Sequence, residues 1–196
     1  HNAFGTPFPY VGARFDALAD QLAILRGLWR TPAGETFTYD GEVHSVLDNP
    51  GLPKPRQGEI PIIMGGQGRR RTPKLAAEYA AEFNTPFVAV DTFVAQRQRV
   101  REASAAIGRA EAPLFSAALV VCVGRDEGEV QRRAEAIGRQ PEELRRNGVA
   151  GTPEEAAATI RRWHDAGAER VYLQVLDLTD LDHLDLVAEA VVPQLR

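Results

Sequence analysis

Residues 60–73 read Ile60-Pro61-Ile62-Ile63-Met64-Gly65-Gly66-Gln67-Gly68-Arg69-Arg70-Arg71-Thr72-Pro73. A short apolar run, Ile60–Met64, ends in three glycines within four positions, and three arginines follow. Short apolar runs bounded by turn residues are buried strands. Thr72 is expected as an N-cap with Pro73 at the first helical position, because a hydroxyl accepts an orphan helix amide and proline has none to lose. The segment therefore reads as strand, tight turn, helix. Glycines let backbone N–H groups face a ligand without Cβ interference. A helix N-terminus adds donors and partial positive charge, and arginine adds bidentate anion contacts. Loops at the C-terminal ends of parallel strands are where α/β proteins place ligands. The chemistry points to a phosphate site; a tight turn flanked by solvated arginines is the alternative from the residues alone. The pattern is not a P-loop, since no Gly-Lys-Ser/Thr follows, and not a dinucleotide fingerprint.

Downstream the alternation continues. Pro73–Ala81 is a helix, Phe83–Phe87 a short strand, Thr92–Ile107 a helix and Phe115–Val123 a strongly apolar strand. Glu127–Ile137 and Pro141–Arg146 are helical. Thr152-Pro153-Glu154-Glu155 is a capping box that opens a helix running to about Ala166 and ending at Gly167. Val171–Leu176 is a strand and Leu181–Val192 a closing helix. Four apolar strands, each followed by a helix, imply a parallel sheet covered by helices. That is either part of an eight-fold (β/α) barrel or an open doubly wound sheet. A full barrel takes roughly 250 residues. A chain of 196 residues that reaches its first parallel strand only near residue 60 is expected to be an incomplete barrel.

Upstream, residues 1–11 are aromatic and aperiodic, as in a loop. Phe15, Leu18, Leu22, Leu25 and Leu28 then form one apolar helical stripe that stops at Thr31-Pro32. Phe37–Tyr39, Asp40-Gly41 and Val43–Val46 read as a hairpin, under which Trp29 is expected to pack. Pro50, Pro53 and Pro55 make 49–58 an extended connector. Residues 31–59 are thus a hairpin and Pro-rich insertion in a single α/β domain spanning 1–196.

The composition is that of a soluble globular chain, 44% hydrophobic and 26% charged, with a net charge of −4. Nothing in that balance recruits nucleic acid or an anionic membrane. No stretch has the apolar length of a membrane span, and no signal peptide pattern opens the chain. A lone cysteine, Cys122, excludes an internal disulfide; in its apolar run it reads as a buried structural thiol, and a reducing cytoplasmic compartment is expected. His183 lies among Asp180, Asp182 and Asp185, but the glycine and glutamate of a calcium loop are missing, so a charged helix start is expected and no metal. The opening His1 is taken to mark a processed or truncated product.

Ile60–Asn84 resembles a segment of the luciferase-like monooxygenase superfamily, in the branch that uses the deazaflavin coenzyme F420. The resemblance rests on the strand ending in Gly-Gly-x-Gly, the basic positions, the Leu75-Ala76-Ala77-Glu78-Tyr79-Ala80 helix and the Phe83-Asn84 pair. His1–Pro9, Arg14-Phe15-Asp16, the hairpin, Leu52–Pro55 and Gly151–Glu155 continue it in order. Gln67 stands where glycine is also common, and Arg69 where proline is. The resemblance implies a (β/α)8 TIM-barrel family, of which this chain supplies the last four strands. It also implies cofactor-phosphate binding by Gly65, Gly66, Gln67, Gly68, Arg69 and Arg70, and hydride transfer between coenzyme F420 and a small organic substrate. It leaves catalytic residues unassigned, because those facing the reactive ring come largely from the earlier strands. The alternatives are an FMN-dependent monooxygenase and an inactive fragment or phosphate-binding module, the fragment pairing its strand edges as a homodimer.

Overall fold

The computed structural model describes residues 1–195. The chain divides into two compact units, His1–Ile62 and Ile63–Arg196.

In the first unit a single 3-10 turn, Asn2–Phe4, precedes helix α1, Val11–Arg30, and an antiparallel hairpin of β1, Phe37–Asp40, and β2, Ser45–Asn49. The turn is longer than an Asp-Gly pair alone would give. It runs from Gly41 to His44 and is held by a carboxylate from the helix. Asp20 accepts from the N–H groups of Val43 (2.7 Å) and His44 (3.0 Å) and from the Tyr39 hydroxyl (3.0 Å). Those amide bonds, His44 foremost, hold its carboxyl below the ordinary range. Phe37 seats its ring where Gly27 of α1 leaves no side chain, and Trp29 is only half-buried.

The second unit is a parallel sheet with helices. Its strands are β3, Ile63–Gly65; β4, Glu82–Pro86; β5, Leu114–Val123; β6, Val149–Gly151; and β7, Arg170–Gln174. The order is β3-β4-β5, with β6 pairing residues 121–123 of β5 and β7 pairing residues 116–120. Every pairing is parallel. The four expected strands are present, and β6 is a fifth that the sequence reading missed. At three residues, Val-Ala-Gly, it carries no period to detect. Helices α2, Arg71–Tyr79, and α3, Val90–Ala106, follow β3 and β4. Helices α4, Glu127–Ala136, and α5, Pro141–Asn147, follow β5; α6, Pro153–Asp165, and α7, Leu181–Leu186, follow β6 and β7.

Alternation decides the two faces. Phe83, Phe115, Ala117 and Leu119 are buried, along with Phe93 of α3 and Trp163 of α6, whose rings meet edge-on at 5.3 Å. The capping box forms as expected: Thr152 accepts from Glu155 N–H, and Glu155 accepts from Thr152 N–H. Cys122 is buried, and burial pushes its thiol pKa up.

Candidate functional site

Because β3 runs parallel to β4, and β4 to β5, the strands leave the sheet at one rim. The glycine loop occupies that rim directly after β3. Each glycine has its own reason. At Gly65 a Cβ would stand 2.8 Å from the Asn84 carbonyl oxygen of the neighbouring strand. Gly66 has φ +135°, a region open to glycine alone at little cost. A Cβ on Gly68 would overlap the Thr72 hydroxyl.

Thr72 does not cap α2. The helix begins at Arg71, two residues before the expected Pro73, with Arg70 at the cap position and no side-chain cap bond. Thr72 instead turns inward, buried against Gly66 and Gly68. Tertiary packing of the hydroxyl against the loop outweighs its local capping tendency. Pro73 falls within the first turn, where a missing N–H costs nothing.

A residue invisible to the sequence reading fixes the loop from behind. Gln96 of α3 is 1% exposed, and its Nε2 donates to the Gly68 carbonyl at 2.8 Å. Its Oε1 accepts from Arg99 at 2.9 Å. With that carbonyl engaged, the N–H groups of Gln67, Gly68, Arg69 and Arg70 donate to no described residue. Gln67, Arg69 and Arg70 are exposed. Gln67, Arg69, Thr92, Gln96 and Arg99 line an open cleft of about 310 Å³ that also admits Asp91. Open backbone donors, two guanidinium groups and no plugging side chain form a surface suited to an anion. The candidate residues 65–70 are therefore contiguous on one rim, with Arg99, Thr92 and Gln96 joining them from α3. A glutamine on a helix twenty-eight positions downstream carries no local signal for this role.

The opposite sheet face carries polar side chains. Glu82, Asn84, Ser116, Arg170 and Tyr172 share it by alternation and register. Glu82 accepts from Ser116 Oγ (2.6 Å), from Tyr172 OH (2.8 Å) and from Arg170. In sequence the strands read as apolar and non-alternating; of the five only Asn84 is marked, in the Phe83-Asn84 pair of the family resemblance, and without a role.

The His183 region is an ion-pair network, as a charged helix start implies. Asp180 caps α7 by accepting from His183 N–H at 3.0 Å. Arg133, 4% exposed, donates to Asp180 (2.8 Å), Asp182 (2.7 Å) and the Val123 carbonyl (2.7 Å). Hydrogen bonds from Arg125 and Arg133 hold Asp182 well below the usual carboxylate range. His183 Nε2 accepts from Val123 N–H at 2.9 Å, so the imidazole is neutral there, and burial lowers its pKa. Among the described residues no cluster of three His, Cys, Asp or Glu side chains is arranged to hold a metal ion.

The model of the luciferase-like monooxygenase family matches residues 2–141. The chain belongs to that family. Among solved structures it is similar to an F420-dependent secondary alcohol dehydrogenase in complex with an F420–acetone adduct. That match has a TM-score of 0.80 and 20% identity, covering 97% of this chain and 64% of the other. It is also similar to EDTA monooxygenase from Chelativorans sp. BNC1, with a TM-score of 0.79 and 18% identity, covering 99% and 63%. A riboflavin lyase solved with modified FMN and riboflavin gives 0.77 and 16%, covering 100% and 60%. No curated protein matches in sequence. At these identities the likeness is one of fold, that of the luciferase-like barrel. The chain spans less than two thirds of each of these relatives. Among the described residues the barrel is incomplete, with β3 and β7 each paired on one side only. No helix among them is long and apolar enough to cross a membrane.

Proposed function

We propose that this luciferase-like chain serves an oxidoreductase that binds coenzyme F420 and exchanges hydride with a small organic substrate, its two units forming parts of one cytoplasmic α/β domain. The observation that carries the reading is the glycine loop at the strand-exit rim, its Gly68 carbonyl tied back by Gln96 and its amides open toward Arg69 and Arg70. Such a cradle fits a phosphate monoester or diester, which accepts hydrogen bonds and donates few. Gly65, Gly66, Gln67 and Gly68 would offer main-chain amides; Arg69 and Arg70 would offer charge. The deazaflavin, when bound, supplies the hydride chemistry, while the chain's residues grip and orient it. An F420-dependent relative of the same fold supports the choice of cofactor.

A second reading, FMN with oxygen as co-substrate, is favoured by the relative that holds modified FMN. Fluorescence titration of the chain with coenzyme F420 and, separately, with FMN decides between them. Saturable binding of F420, competed by inorganic phosphate, is expected. Tight binding of FMN alone overturns the cofactor choice, and binding of neither overturns the redox role. Pairing of two copies along the open edges of β3 and β7 belongs instead to the alternative of an inactive fragment, with sedimentation equilibrium as its check.

A further inference from the structure

Four residues stand in one row across the polar sheet face. Gly65 pairs with Asn84, Asn84 with Ser116, and Ser116 with Arg170. Glu82 lies two residues before Asn84 on the same face and is 5% exposed. Asn84 Nδ2 lies 2.9 Å from Ser116 Oγ, which lies 2.6 Å from Glu82 Oε1.

Proton counting fixes the direction of this chain. A carboxylate paired with Arg170 only accepts, so the single Ser116 proton goes to Glu82. Ser116 Oγ can then only accept from Asn84, and the atom facing it must be the amide nitrogen. The two faces of an asparagine amide are ordinarily interchangeable; here the neighbouring carboxylate selects one. Tyr172 and Arg170 hold that carboxylate from β7. Asn84 Oδ1 consequently points away from Ser116 as an acceptor, and it receives no hydrogen bond from any described residue.

An oriented acceptor cannot serve a phosphate, which is itself acceptor-rich; it needs an O–H or N–H. Adjacent strands lie about 4.8 Å apart, so Asn84 is one strand spacing from the first residue of the glycine loop. In a phosphate ester gripped by that loop, the groups within such reach are those on the first carbons beyond the phosphate. In both coenzyme F420 and FMN those carbons carry the hydroxyls of the ribityl chain. We propose that Asn84 Oδ1 accepts a hydrogen bond from a ribityl hydroxyl, with Ser116 and Glu82 as positioning residues that forbid the flipped amide. This inference rests on the phosphate reading of the loop and adds a contact that the loop itself cannot make. It also accounts for a buried, three-donor carboxylate on a sheet face that is otherwise open.

The test measures dissociation constants of FMN and coenzyme F420 by fluorescence, and of inorganic phosphate by competition, for folded variants matched by circular dichroism. Asn84→Leu is expected to weaken both cofactors about tenfold, the weight of one well-made hydrogen bond, and to leave phosphate unchanged. Ser116→Ala is expected to weaken the cofactors about threefold by freeing the amide to flip, and Ser116→Thr, which keeps the hydroxyl, to bind as the parent does. Equal loss of phosphate and cofactor in Asn84→Leu overturns the proposal, because it would mean damage to the loop. Unchanged cofactor affinity in Asn84→Leu overturns it too. Failure of the parent chain to bind phosphate while it binds cofactor with Asn84-dependent affinity would sink the loop reading and keep the acceptor. Failure to bind any of the three ends both.

Discussion

The two faces of the parallel sheet are made from the same strands and do opposite work. On one, Phe83, Phe115, Ala117 and Leu119 are buried, with little polar content beyond Thr85. On the other, alternate residues of the same strands are Glu82, Asn84, Ser116, Arg170 and Tyr172, joined by directional bonds. Apolar packing tolerates approximate geometry and supplies most of the stability. A hydrogen-bonded network contributes modest net stability, yet it fixes which atom faces which. The comparison teaches that stability and orientation have been assigned to opposite sides of one set of strands.

The sharpest break would come from the packed side. Trp163→Ala is expected to cost about 3–5 kcal/mol, the usual range for a large buried aromatic. Urea denaturation checks this, and cofactor affinity measured well below the transition should stay at the parent value. Loss of affinity in a variant that remains folded would mean the two faces are not independent.

On the polar side, Glu82→Leu should cost about 1–3 kcal/mol, because the buried Ser116 hydroxyl loses its acceptor, whereas the half-exposed Arg170 guanidinium can turn to water. A variant as stable as the parent would show the network to be dispensable. At the rim, Gly66→Val places an L-residue at φ +135°, and about a tenfold loss of phosphate affinity is expected in the folded variant, together with a stability cost of about 1–3 kcal/mol from the strained backbone. Unchanged affinity would count against the cradle.

The His183 contact gives a smaller effect with a defined sign. Burial, aided by Arg133, lowers the folded-state pKa of His183 below its ordinary 6.5, while the unfolded chain titrates near that value. The unfolded chain therefore takes up the proton first. Stability is full above pH 6.5 and declines as pH falls below it, until the folded state protonates as well. Thermal melts between pH 7.5 and 5 should show this decline, and His183→Gln, which keeps an acceptor for Val123 N–H, should flatten it. The decline is distinct from the acid loss caused by Asp180 and Asp182, whose pKa values are lowered from 3.8 and whose contribution disappears only in more acid solution. Least of all, Arg125→Ala should leave the urea-denaturation midpoint close to the parent's, since its bonds to Asp182 and Glu129 are exposed to solvent.

Much of the fold was legible residue by residue. The Thr152–Glu155 capping box and the Phe115–Val123 run announce themselves through local chemistry; the box forms as read, and the strand starts one residue earlier, at Leu114. The glycine loop was legible as a turn between strand and helix. Thr72 was misread because capping propensity is local while its contact with Gly66 and Gly68 is not. The polar sheet face was missed because β4 and β7 are too short to show a clear period and the long apolar run of β5 looks continuous. Their alternation becomes visible only when Glu82, Asn84, Ser116 and Tyr172 are set side by side by register.

What the amino-acid order determined by itself was the alternation of strands and helices, the three glycines before an arginine run, and the parallel sheet these imply. Each of those depends on interactions within a few residues, where backbone freedom and side-chain period leave little choice. Tertiary structure alone decided that Gln96 ties back Gly68, that His183 meets the end of β5, and that Glu82, through Ser116 of the neighbouring strand, sets the direction of the Asn84 amide. Those contacts join groups far apart in sequence, and a hydrogen bond acts only once the fold has brought donor and acceptor within about 3 Å.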